Sequence, residues 1–269
     1  MSLSLTLMLQ LAIIIPFMAP IAIIATRHNQ NLREAVTLST CVGLIYLVVN
    51  LYQGVISGEN IQVFWWELLP DLHISFAIEP LGMLFAVIAS FLWLITSCYA
   101  IGYMRSHQEK NQTRFYCCFA IAIAAVIGLA FSANLFTLFI FYEVLTLSTY
   151  PLVTHAGTDK AKKGGRTYLG ILLTTSVVFL LFAIIGTWLT AGTLDFTPGG
   201  VFSDEVDKSI ASILLVLFIF GVGKAAIMPF HRWLPAAMVA PTPVSALLHA
   251  AAVVTAGVFT ILKASASLF

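Results

Sequence analysis

Apolar residues in this chain come in runs too long for a strand and too unbroken for the face of a soluble helix. Eight runs follow one another: Leu3 to Thr26, Ala35 to Ser57, Pro80 to Tyr103, Phe115 to Ser132, Leu135 to Val153, Thr167 to Ala191, Ile210 to Pro229 and Val244 to Leu262. Each lies near the ~20 residues with which a helix crosses a hydrocarbon layer. The pattern predicts an all-α fold, a polytopic membrane bundle of about eight transmembrane helices. From Phe115 to Val153 the apolar stretch is 39 residues long. At ~1.5 Å per residue that is too long for one crossing, and its only polar break, Ser132-Ala133-Asn134, predicts a tight hairpin turn there. Strands are not expected, because a lipid-facing barrel needs segments of ~10 residues that alternate polar and apolar. The first run has no basic residue before it and Arg27 after it, unlike a cleaved signal, and is read as a retained span.

The polar positions between the runs carry a second pattern. Arg27, Arg33, Arg105, Lys110, Arg114, Lys160, Lys162, Lys163, Arg166 and Arg232 follow odd-numbered runs, whereas the other side has Lys208 alone. That other side holds Glu59, Glu67, Asp71, Glu79, Asp195, Asp204, Glu205 and Asp207. Short loops rich in Lys and Arg stay cytoplasmic. The N-terminus and the loops Glu59 to Glu79 and Asp195 to Lys208 are therefore expected outside, and Gly157 to Arg166 inside, in a multi-pass protein of the cell inner (cytoplasmic) membrane.

Composition agrees: 60% of the 269 residues are hydrophobic and 9% charged, against roughly a quarter charged in soluble domains. A formal charge of +1 leaves no electrostatic footprint for nucleic acid. Cys41, Cys98, Cys117 and Cys118 sit in apolar runs without metal-ligand spacing and read as small core hydrophobes. His155 with Asp159 reads as a surface-loop arrangement with no further ligand, so no metal site is expected. Gly221-Val222-Gly223 lacks a third glycine and a preceding strand, and Ser209 has no triad partners, which argues against nucleotide binding and serine chemistry.

Once the loops are set aside, four ionisable residues remain at membrane depth: Glu143, Lys224, His249 and Lys263. A charge at the centre of a spanning helix costs about 2.5 to 3.5 kcal/mol even on the lower scales, so each needs a partner, water or a role in ion passage. Glu143 lies about two and a half turns from either end of its run, too deep for a short side chain to reach the headgroups. Lys224 follows two glycines and precedes Pro229, where a helix is expected to kink or open and free its carbonyls. A lysine there has a charge state that a moving carboxylate can switch. His249 suits a proton relay. His231 reads as an interfacial anchor, and Lys263, at the end of its run, as a lysine snorkelling to the outer edge.

The segment Lys224-Ala225-Ala226-Ile227-Met228-Pro229-Phe230-His231-Arg232-Trp233-Leu234-Pro235, followed by Ala240-Pro241-Thr242-Pro243-Val244-Ser245-Ala246-Leu247-Leu248-His249-Ala250, resembles the antiporter-like membrane subunits shared by respiratory complex I and the multisubunit sodium/proton antiporters. Phe141-Tyr142-Glu143 with Tyr150-Pro151-Leu152 is similar to the glutamate-bearing fifth helix of that family, and Gly165-Arg166-Thr167-Tyr168-Leu169 to the start of its sixth. The resemblance is closest to the antiporter A/D type. It implies that Glu143, Lys224 and His249 correspond to a proton relay of glutamate, lysine of a broken seventh helix, and histidine.

Such subunits have about 14 helices in two inverted repeats, so this chain corresponds to part of that fold. Residues 1–114 would supply helices 1 to 3, and 115–269 a partial proton-translocating repeat of helices 4 to 8. A truncated product, a short subunit completed by another chain and a piece of a longer sequence all fit. The resemblance implies other membrane subunits as partners, protons and sodium as cargo, the lipid bilayer as surroundings, and no bound cofactor. Sodium/proton antiport is the leading expectation. The alternatives are a proton-pumping subunit of an NADH:quinone oxidoreductase, a subunit of a proton-coupled inorganic-carbon uptake complex, and an inactive truncated scaffold.

Overall fold

Short polar side chains write most of the helix starts. Ser4, Asn29, Asn134, Thr158 and Asp207 each accept a hydrogen bond from a main-chain N–H of the first turn, opening α1 (Leu5–Ala25), α2 (Gln30–Ile56), α5 (Leu135–Val153), α6 (Asp159–Thr175) and α8 (Lys208–Gly221). Such a bond satisfies a donor that the helix itself leaves free. Proline at the first helical position begins α3 (Pro80–Ser106), and α4 spans Gln112–Ala130. The computed structural model describes residues 4–59, 61–69, 72–197, 199–202 and 207–268. Asp71, Ser203, Asp204 and Glu205 of the acidic loops lie outside them.

Among the described residues, seven helical stretches are long and apolar enough to cross a membrane, and the shorter apolar α8 makes the eighth expected element. The chain is a polytopic membrane protein. The sixth crossing is longer than expected. α6 runs through a π-helical turn at Ser176–Leu180 into α7 (Leu181–Ala191), a continuous 33 residues. The basic segment read as a loop is thus the first two turns of a helix, because Thr158 caps it and accepts from Ala161 N at 3.1 Å.

A second difference lies between α2 and α3, where strands were not expected. β1 (Gln62–Leu69) and β2 (Leu72–Ala77) form an antiparallel hairpin whose register runs from Gln62 opposite Ala77 to Leu69 opposite Leu72. It lies in a loop and does not span. One face is seated: Phe76 is fully buried against Phe141, with ring centroids 5.5 Å apart.

At the centre stands α4. Its Ala120, Ala122, Ala124, Ala125, Gly128 and Ala130 are small and buried, so α1, α3 and α5 can approach closely without bulky side chains between them. The turn expected at Ser132-Ala133-Asn134 is present and joins α4 to α5. It is bonded into one end of the molecule. Ala133 N donates to Ser75 O (3.0 Å), Asn134 Nδ2 to His73 O (2.8 Å), Leu135 N to Leu194 O (2.9 Å) and Phe196 N to Ala133 O (3.2 Å). This end gathers the acidic loops. The opposite, basic end is joined by side chains: Arg33 Nη2 donates to Gln112 Oε1 (2.6 Å), Arg105 pairs with Glu34, and Arg114 Nη2 donates to His155 O (3.3 Å).

Candidate functional site

The eighth helix stops before the lysine that the sequence places late in a span. α8 ends at Gly221, Val222 leaves helical geometry, and Lys224 sits in a single 3-10 turn, Gly223–Ala225. Ala226 then takes a left-handed conformation (φ 54°). The chain resumes as a 3-10 turn at Phe230–Arg232 and short α9 (Trp233–Ala237). The break is held in place from both sides. Trp233 Nε1 donates to Gly223 O at 2.9 Å. Gly257 of α11 (Val253–Leu268) packs directly on the Lys224–Ala225 main chain, where a Cβ would stand 2.6 Å from the Lys224 carbonyl carbon.

Lys224 is fully buried. Its Nζ donates to Tyr142 O at 2.7 Å and Thr146 Oγ1 at 2.6 Å, and lies 3.1 Å from the Tyr142 ring centroid. The Lys224 main-chain N–H donates to Tyr142 Oη at 3.1 Å. Every group that holds the amine is therefore neutral, and all come from two adjacent turns of α5. The aromatic face and the carbonyl both favour a cation, yet neither cancels its charge.

Glu143 is the next residue on α5 and points elsewhere. Both carboxylate oxygens are buried without a hydrogen-bond partner, and among the described residues no cation forms an ion pair with Glu143. Its charge still acts on Lys224 electrostatically. Glu143 thus stands on α5 next to Tyr142, which bonds Lys224, while Lys224 itself belongs to the break after α8, and the two expected partners are not bonded. Leu147, one turn on from Glu143, is 56% exposed, whereas the Glu143 carboxylate oxygens are covered. His249 is not brought to either of them. It sits in a π-helical turn, Leu247–Ala251, that follows α10 (Thr242–Ala246), and its Nε2 lies 3.1 Å from Met238 Sδ.

Two further residues depart from their sequence reading. Lys263 does not snorkel: it is 1% exposed. Its Nζ donates to Ser132 O at 2.5 Å and lies 3.4 Å from Glu79 Oε2. The inward turn follows from the fold, because the outer edge at this point is already covered by the α4–α5 turn and Phe196, whose ring centroid is 4.5 Å from Nζ. The signal in the sequence was the spacing Gly257, Thr260, Lys263, which puts the lysine on the face of α11 that packs inward. His155 is buried as well, and its acidic neighbour is Glu109 (3.8 Å), while Asp159 pairs with Lys162 (3.7 Å). Of the cysteines, Cys41 and Cys117 are buried and Cys98 is exposed.

Residues 132–269 match the model of the NADH:quinone oxidoreductase/Mrp antiporter transmembrane family, and residues 65–116 match the N-terminus of complex I chain 5. A Staphylococcus saprophyticus protein named for an antiporter subunit, mnhA2, is 29% identical over 229 residues, covering 84% of this chain and 28% of that protein. An NAD(P)H-quinone oxidoreductase chain 5 from Synechocystis sp. is 31% identical over 242 residues, covering 86% of this chain and 35% of the relative. The chain thus spans about a third of the length of these relatives. Among solved structures, the Mrp complex from Dietzia sp. DQ12-45-1b superposes with a TM-score of 0.81 at 24% identity, over 99% of this chain and 28% of the other. The archaeal membrane-bound sulfane sulfur reductase superposes at 0.82 and 19% identity, over 94% and 52%. At these identities the two structures speak for the fold alone.

Proposed function

Because the chain belongs to the NADH:quinone oxidoreductase/Mrp antiporter transmembrane family, we propose that it carries protons across the inner membrane as one subunit of a larger membrane assembly, with Lys224 as the switch and Glu143 as the carboxylate that sets its charge. One observation carries this reading. A fully buried lysine is held by neutral groups of α5 alone, and next to one of them, Tyr142, stands Glu143, whose buried carboxylate has no hydrogen-bond partner among the described residues. A charge that deep is costly unless its counter-charge is near. Each group therefore responds strongly when the other gains or loses its proton. With Glu143 ionised, the ammonium is drawn from the Tyr142 carbonyl toward the carboxylate. With Glu143 protonated, the amine can give up its proton and still donate to Thr146. Because Trp233, Tyr142 and Gly257 hold the main chain of the break, the move is made by the Lys224 side chain alone.

His249, half-exposed beside Met238, serves the next step on the α11 side. Residues 115–269 form the working repeat and 1–114 its support. The basic end faces the cytoplasm by its excess of Lys and Arg. Sodium/proton antiport is our first reading of the cargo, on the likeness to the mnhA2-type relative. Proton pumping in a quinone oxidoreductase is the second, on the likeness to the chain 5 relative.

The test is proton transport by the assembled complex carrying Glu143→Gln or Lys224→Ala, with subunit abundance measured alongside. Each is expected to lower transport about tenfold or more at unchanged abundance. Full transport in both at normal abundance would leave the two residues without a part in proton passage and end the relay reading.

A further inference from the structure

The second buried lysine differs from the first in having a carboxylate at hand and an opening beyond it. We propose that Glu79 and Lys263 form a second proton-transfer pair, the point at which protons pass between the buried route and the surface at the acidic end of the bundle. This rests on the proton-carrying reading of Lys224.

Exposure rises step by step along the groups concerned. Lys263 is 1% exposed, and the side chain of Glu79 is 37% exposed. Glu79 in turn lines a polar cavity of about 140 Å³ with His73, Ser75, Ala133, Asp195 and Phe196. Across that cavity His73 Nε2 lies 3.5 Å from Asp195 Oδ1, and the Asp195 side chain is half exposed. The titratable groups that face the cavity are thus Glu79 from the start of α3, His73 from β2 and Asp195 from the loop after α7. Lys263 of α11 lies beneath them. At roughly 30 Å³ per molecule of liquid water, the space is enough for a short hydrogen-bonded chain.

Inward, α11 leads from Lys263 back to the broken segment. Gly257 touches the main chain of Lys224 and Ala225, and Lys263 stands six residues on, about 9 Å along the axis. Thr260 lies between them on the same face, buried, with its hydroxyl bonded to Ala256 O at 2.7 Å. One helix therefore backs both lysines, with a hydroxyl halfway.

The chemistry is a proton shift with no other bond made or broken. The Lys263 ammonium passes a proton to the Glu79 carboxylate, leaving a neutral amine and a carboxylic acid. The amine keeps two N–H groups, so its bond to Ser132 O survives the step. Glu79 then releases the proton into the cavity, to His73 or directly to water, and the amine is recharged from the Lys224 side. A buried ion pair gains little over its neutral form once the loss of hydration is counted, which makes the shift accessible in both directions. A clamp alone would need only a lasting positive charge.

That contrast gives the experiment. Lys263→Arg keeps the charge but cannot release a proton, and the double variant Lys263→Met with Glu79→Gln removes both charges without stranding either. Both are assayed with Glu79→Gln and Glu143→Gln in the assembled complex, as proton transport per subunit over a range of pH on the acidic-end side. The expected result is at least a tenfold loss in Lys263→Arg and in the double variant at normal abundance. A smaller loss with an altered dependence on that pH is expected for Glu79→Gln. Wild-type transport in either Lys263→Arg or the double variant, while Glu143→Gln is inactive, overturns the proposal and leaves the pair a clamp. Loss of abundance in all three acidic-end variants overturns it too. Full transport in every variant, Glu143→Gln included, removes the underlying relay reading.

Discussion

Lys224 and Lys263 are both buried ammonium groups in one membrane bundle, and they are stabilised by opposite means. Lys224 has a carbonyl, a hydroxyl and an aromatic face, and its nearest acid is unbonded. Lys263 has a carboxylate and a carbonyl. The first arrangement leaves the charge uncompensated and movable, and the second ties it to a group that reaches the surface. The main chain around them differs in the same sense. Lys224 rides on a one-turn break between two helices, whereas Lys263 belongs to a regular helix and bonds to a turn laced to two other segments. Position in the fold, and not burial, separates the lysine held by neutral groups from the lysine paired with a carboxylate.

The contrast can be broken most severely at Gly257, the residue on which the Lys224 segment rests. Gly257→Val would press a branched side chain into the Lys224–Ala225 main chain, and overpacking of this kind costs about 1 to 3 kcal/mol. A value near the top of that range is expected, because the obstructing atoms are main chain. Thermal unfolding of the purified assembly checks it, and transport should fall with it. The Lys263 site, six residues on, should be untouched.

Removing the lysines one at a time sharpens the comparison. Lys263→Met strands Glu79. Breaking one side of a fully buried pair costs about 3 to 5 kcal/mol, but Glu79 is partly hydrated, so about 2 kcal/mol is expected here. Lys224→Met breaks no ion pair among the described residues, and the carbonyl and hydroxyl that it leaves already bond each other (Thr146 Oγ1 to Tyr142 O, 3.2 Å). A change within about 1 kcal/mol is expected, of either sign. Unfolding midpoints that rank the two variants the other way would undo the comparison.

A third buried nitrogen base carries it to the basic end, with the smallest expected effect. Burial first, and then the neighbouring Arg114, push the imidazole of His155 below its ordinary pKa, with Glu109 opposing. The folded chain thus keeps His155 neutral where the unfolded chain would take a proton. Its contribution to stability is complete above about pH 6.5 and declines as pH falls below that value. His155→Phe should flatten this acid-side decline in unfolding midpoints between about pH 5 and 7. An unchanged profile would show that the decline arises elsewhere.

The sequence made the spans legible because hydrocarbon tolerates little else than unbroken apolar helices. The turn at Ser132-Ala133-Asn134 and the break around Lys224 were legible for local reasons, a polar interruption in one and glycine with proline in the other. What local reasoning missed was set by distant packing. The hairpin at Gln62–Leu69 and Leu72–Ala77 was signalled by two short apolar runs on either side of Pro70-Asp71, the first with Phe64, Trp65 and Trp66, but its loop position hid it among the spans. Lys263 sits at the end of an apolar run, where a lysine ordinarily reaches for water. Its place on the inward face of α11 turns it inward, and Ser132 and Glu79 arrive from other parts of the chain to meet it. Glu143, Lys224 and His249 were singled out by the cost of a charge at membrane depth and by the family resemblance, and cost says that a partner is needed without saying which. The fold sets Glu143 beside Lys224, unbonded, and gives His249 to Met238.

The main-chain bonds that meet at Phe131, Ala133 and Phe196 have a mechanical meaning. Main-chain bonds there stitch the α4–α5 corner to the hairpin and to the strand-like stretch at Leu194 to Phe196, and Val201 N bonds Leu268 O at 3.3 Å. The basic end has side-chain ties in their place. The acidic end is therefore the hub and the basic end the rim: helices that swing apart do so like the ribs of a fan, with the least travel at Lys263 and more at the free ends. Amide exchange should be slowest around Ala133, and any stroke that Lys224 makes is levered from that fixed point.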